Sequence, residues 1–161
     1  MVKPTKKQMG DAGEMLIAAE LTLAGMPALK VPDNWPGYDV VAQPPDGGPA
    51  QRVQVKTRTY SDSANDYVEY HEGDDFDWLA VVFLPRAGEH GRQFFIVPRD
   101  VADPVARRTI DPAAKTADSR YWSQREFRER FAKFQNNFAL ARSGQDLGDP
   151  AIREVRASDE P

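Results

Sequence analysis

Apolar positions along the chain change period several times, and each change marks an element. From Met9 to Ala24 the run MGDAGEMLIAAELTLA is dense in helix formers. Ala12, Leu16, Ala19 and Leu23 recur there at i, i+4, i+7 and i+11, which predicts one apolar face of a helix stopped by Gly25. Ala28 to Val31 reads as a short strand, broken by PDNWPG with its two prolines and a glycine. Tyr38 to Gln43 is a second strand, and PPDGGPA turns it into a third, Gln51 to Arg58. In QRVQVKTR the alternation is clean: Val53, Val55 and Thr57 face one way and Arg52, Gln54, Lys56 and Arg58 the other.

Beyond the hairpin the pattern weakens and then returns. Residues 60–77 carry seven acidic side chains and no Lys or Arg, which predicts a solvated loop or short helix outside the core. WLAVVFL, Trp78 to Leu84, is almost wholly apolar and predicts a central strand buried on both faces. Gln93 to Val97 follows as a strand ended by Pro98. Ser123 with Glu126 forms a capping box opening a helix to about Ala141, with Phe127, Phe131, Phe134 and Phe138 as an aromatic stripe fit for core packing. Residues 1–143 are expected to form one domain and residues 144–161 a flexible charged tail.

Composition narrows the function. Zero cysteines exclude a thiolate nucleophile and a cysteine-ligated metal, and fit a reducing compartment such as the cytoplasm. A net charge of -4 removes wholesale attraction to nucleic acid or an anionic membrane, so a polyanion must be gripped locally. No apolar run approaches the roughly 18 residues that cross a bilayer. Glycine-rich phosphate loops, G-x-S-x-G and H-E-x-x-H are absent, and His71 and His90 are expected in separate loops. Val105 to Lys133 holds eight basic and four acidic residues, so Arg125, Arg128 and Lys133, with Arg58 of the third strand, are candidate contacts to nucleic acid.

One constellation stands out: Glu14 on the first helix, Asp39 in the second strand, and Gln54-Val55-Lys56 in the third. Gln54 and Lys56 share a strand face, and a half-buried lysine needs an anionic partner that Asp39 can supply. These residues, in GYDVV and VQVKT after the Glu14 helix, resemble the PD-(D/E)xK nuclease superfamily over residues 10–58. That superfamily includes many restriction enzymes and the archaeal Holliday junction resolvases.

The resemblance implies an α/β fold with a mixed central sheet flanked by helices: a restriction-endonuclease-like core of helix, three-strand meander and further strands, with a C-terminal helix. It also implies a magnesium- or manganese-dependent nuclease acting on DNA, of branched or foreign origin. Asp39 would be the main metal ligand, Gln54 the second, and Glu14 a ligand through water. Lys56 would stabilise the attacking hydroxide or the developing phosphate charge. DNA and a second copy of the chain are the implied partners. Tyr38 stands where the proline before the aspartate is usual, and Gln54 where an acid is. Glutamine offers an oxygen without a charge, so the site should hold metal less tightly and a catalytically lapsed binding module is the alternative.

Overall fold

A computed structural model describes residues 2–87, 89 and 91–143; the expected tail and His90 lie outside them. Helix α1 runs Lys6–Leu23. It begins earlier than the apolar period suggests because Thr5 and Gln8 form a capping box that satisfies the first-turn N–H groups. Its buried line is Gly13, Ile17 and Leu21, whereas the expected face member Leu23 is 83% exposed. The true stripe is rotated because it passes through a glycine, which no hydrophobic count registers. An added Cβ on Gly13 would lie 1.8 Å from Thr57 Oγ1, so the glycine is what lets α1 lie against the sheet.

The central sheet contains β1 Ala28–Lys30, β2 Val40–Ala42, β3 Gln51–Thr59, β5 Trp78–Leu84 and β6 Gln93–Pro98, in the order β1-β2-β3-β5-β6. The first three strands form an antiparallel meander, β3 and β5 are parallel, and β6 returns antiparallel, so the sheet is mixed as expected. A smaller antiparallel sheet consists of β4 Tyr67–His71, β8 Ser119–Ser123 and β7 Arg107–Arg108. Two short helices complete the fold, α2 Arg99–Ala102 and α3 Gln124–Arg130. On one face of the central sheet α1 seals Ile17, Leu21, Val40, Val53, Ala80 and Ile96. On the other, Leu79, Val81 and Phe95 meet Tyr70, Trp122 and Phe127 from the small sheet and α3.

Two expectations are corrected here. Residues 60–77 include strand β4, whose Val68 and Tyr70 are fully buried, and Phe76 joins the same core. Acid density hid a period of two: Tyr67, Glu69 and His71 face water while the residues between them face inward. The C-terminal helix stops at Arg130, and a single 3-10 turn, Ala132–Phe134, follows. From there the chain wraps the free edge of β6, with Asn136 N–H donating to Phe94 O and Asn137 Nδ2 to Ile96 O. Phe127, Phe131 and Phe134 therefore pack on one face of the sheet and Phe138 against Phe94 on the other. A straight helix cannot serve both faces, and covering the exposed edge prevails over continuing it.

Candidate active site

Asp39 stands immediately before β2, where the last paired position is Val40 opposite Val53. Continuing that register brings Asp39 beside Gln54. Three main-chain bonds fix it: its N–H donates to Val53 O (3.0 Å), its carbonyl accepts from Val31 N (2.9 Å), and Oδ2 accepts from Val55 N (2.7 Å). Gly37, at φ 89°, allows the approach to this position, because a Cβ there would lie 2.8 Å from Asp75 N. Burial pushes the Asp39 carboxyl above its ordinary range; the Val55 N–H and the charge of Lys56 oppose this, and Asp74 adds to it.

Glu14 follows Gly13, so the close crossing of α1 over Thr57 carries it to the same end of the sheet. Burial raises its carboxyl as well, the neighbouring Lys30 lowers it, and the charge of Asp39 raises it again. Lys30 Nζ is 3.0 Å from Glu14 Oε2 and 2.8 Å from Asp33 Oδ1, and Lys7 bridges Asp11 and Asp33. Glu14, Lys30, Asp33, Trp35, Tyr38 and Asp39 line a cleft of about 280 Å³.

The charge of Lys56 acts on Asp39 from the other face of the sheet, and Gln54 is the neighbour of Asp39 in register on β3. Their neighbours across the parallel ladder are Leu79 and Val81, which belong to the core facing the small sheet and not to the α1 core. Neither side chain is part of the cleft wall. Gln54 is only 8% exposed. Among the described residues neither its amide nor the Lys56 amine has a hydrogen-bond or ion-pair partner. Asp39 is thus the hinge of the arrangement, coupled to Glu14 on the α1 side and to Lys56 on the opposite face.

Among the described residues no group of three or more His, Asp or Glu has metal-holding geometry. What the cleft offers instead is the Glu14 and Asp39 carboxylates, with Asp39 Oδ1 left over from its bond to Val55, while Gln54 lies outside the cleft wall. An oxygen-only donor set of this kind fits a hard divalent cation such as magnesium or manganese, and not zinc.

The basic residues are largely committed elsewhere. Arg58 donates to Tyr67 O and Thr57 O and so ties β3 to β4. Arg128 pairs with Asp62 at 2.9 Å and stacks on the Tyr60 ring, its guanidinium carbon 4.2 Å from the centroid. Lys133 lies over Phe134, and Arg107, Arg108 and Arg120 pair with Glu126, Asp103 and Glu72. Arg125 alone of the named four is exposed without a described partner. Sequence reasoning missed Lys7, Asp11, Lys30, Asp33 and Trp35 at the cleft. The Lys7–Asp11 spacing of i, i+4 was the readable signal, while Lys30 meets Glu14 only through the fold.

No protein-family model and no curated protein matches the sequence. Among solved structures, the bacterial homing endonuclease I-Ssp6803I is similar at 17% identity and a TM-score of 0.53, over 98% of this chain and 100% of that one. The chain has the restriction-endonuclease-like fold. Archaeoglobus fulgidus Hjc, a Holliday junction resolvase from an archaeal hyperthermophile, aligns at 14% identity and a TM-score of 0.43, over 76% of this chain and 87% of that one. In restriction-endonuclease-like terms, the order helix, meander, parallel β5 and antiparallel β6 is the core expected from residues 10–58, extended here by the β4-β8-β7 sheet.

Proposed function

We propose that the protein is a metal-dependent nuclease that hydrolyses phosphodiester bonds in DNA. The observation that carries this reading is the half-buried Asp39 carboxylate, anchored by the Val55 N–H and coupled at once to Glu14 and Lys56, immediately before β2 in a nuclease-like fold. Asp39 and Gln54 would hold magnesium or manganese, with Glu14 bound through water. When bound, such an ion supplies a Lewis acid beside the scissile phosphate and lowers the pKa of attacking water. Lys56, unpaired among the described residues, provides a positive charge where negative charge grows on the phosphate. Asp39 orients the site through its three main-chain bonds, so little reorganisation is needed when substrate arrives. Arg125, exposed and without a partner among the described residues, is available for a phosphate contact, whereas Arg58 and Arg128 act through the fold.

Cleavage of plasmid and linear DNA should appear with magnesium or manganese and be absent with calcium or chelator. Lys56→Ala should lower the rate by about a thousandfold, in the range of losing one charge-stabilising donor, while the melting temperature stays near the parent's. Parental cleavage in that variant would defeat the assignment.

Gln54 and the lack of a three-carboxylate cluster among the described residues favour one second reading, a lapsed nuclease-like module that binds without cutting. Heating scans separate the two: the working site is stabilised by manganese and the lapsed one is not.

A further inference from the structure

Three tryptophans occur in the chain, and two behave as core: Trp78 is 2% exposed and Trp122 fully buried. Trp35 is 50% exposed and lines the cleft with Glu14 and Asp39. Leaving half an indole in water forgoes much of what burying so large a side chain contributes. Its only described ring contact is with Tyr38, at 6.3 Å between centroids and 68° between planes. That edge-to-face pairing uses at most one face of the indole.

The loop that carries Trp35 is held rigidly. Its N–H donates to Pro32 O (3.1 Å), and Asp33 is clamped by Lys30 and Lys7. Asn34 takes φ 66°, Gly37 φ 89°, and Pro32 and Pro36 restrict the backbone on either side. Tyr38 roots the far end in the core. A ring presented this way loses little freedom on binding.

Charge decides what such a ring can recognise. The cleft walls carry Lys7 and Lys30 against Asp11, Glu14, Asp33 and Asp39, so the walls are net acidic and attraction for phosphate alone cannot seat a strand there. The indole, which attracts the uncharged base whatever its identity, is therefore what this cleft offers a nucleotide. In a duplex each base face is covered by its neighbours, so an indole can stack only where a nucleotide is unpaired.

We propose that Trp35 stacks on an unpaired nucleotide beside the candidate active site, which makes the preferred substrate class DNA with single-stranded nucleotides next to the cut. This deepens the nuclease reading and rests on it for the chemistry, but binding tests it separately. Affinities of a single-stranded oligonucleotide and of the fully paired duplex of the same sequence are measured in chelator, for the parent, Trp35→Ala and Trp35→Phe. The single strand should quench tryptophan fluorescence in the parent, since Trp78 and Trp122 are shielded. Trp35→Ala should lose roughly five- to a hundredfold in affinity for the single strand relative to the duplex, and Trp35→Phe should recover most of that ratio. An unchanged ratio in Trp35→Ala, or no quenching in the parent, overturns the inference. If the stacking signature holds but neither DNA is cut in manganese, the nuclease chemistry falls and the recognition by Trp35 stands.

Discussion

Asp33 and Asp39 line one cleft, yet their surroundings drive the two carboxyl groups in opposite directions. Asp33 is open to solvent and clamped between Lys30 and Lys7, which pull its pKa down to about 2. Asp39 is half-buried, and that burial pushes it up despite the Val55 N–H and Lys56. The outer aspartate is neutralised and holds a loop in place. The inner one is left with a charge that the protein only partly compensates, the condition in which a carboxylate gains most from an incoming cation. Residue type alone would not separate them.

The hardest blow to this contrast is Asp39→Asn. On the proposed function cleavage should fall by about a thousandfold or more and manganese should no longer raise the melting temperature, because the principal ligand is gone; retained cutting would make Asp39 no more special than Asp33.

Gln54→Glu should have the next largest effect. A second carboxylate beside Asp39 should cost about 0.5–3 kcal/mol in chelator, the usual span for a perturbed buried site, and should be followed by a larger manganese-induced rise in melting temperature than the parent shows. Equal metal-induced shifts in the two proteins would remove Gln54 from the ligand set.

A finer probe is pH in the absence of metal. The folded-state pKa of Asp39 is raised above its ordinary 3.8, so its contribution is favourable below that value and is lost as pH rises through the raised one. Asp39→Asn should therefore melt at or above the parent temperature at neutral pH, with the advantage disappearing as pH is lowered past 3.8. Asp33 has the reverse sign: its contribution is present above 3.8 and lost as pH falls toward 2. Since Asp33 is exposed, Asp33→Asn should be the mildest of the set, shifting the melting temperature by no more than about 1–2 °C. A larger loss at neutral pH than any change at Asp39 would invert the comparison.

The sequence by itself determined the parts governed by local periodicity. The β2–β3 hairpin follows from GYDVV, PPDGGPA and VQVKT, and β5 from the apolar run Trp78–Leu84. The order Glu14, Asp39, Gln54, Lys56 was enough to indicate the nuclease-like fold. Local pattern failed where an element is shaped by what packs on it. The acids of residues 60–77 masked strand β4, whose Val68 and Tyr70 alternate inward between exposed neighbours and are buried by the core they join. The phenylalanine spacing implied a straight helix, but residues 135–138 leave it to cover the edge of β6. Only the tertiary structure decided the electrostatics of the cleft, because Lys30 and Glu14, or Asp39 and Lys56, interact across strand pairings and a helix crossing that no local rule encodes. It also divided the basic residues, turning Arg58 and Arg128 inward to carbonyls, Asp62 and an aromatic ring. Periodicity reports which way a residue faces along its own element, whereas burial, and with it the strength of every charge, is set by the elements on the other side.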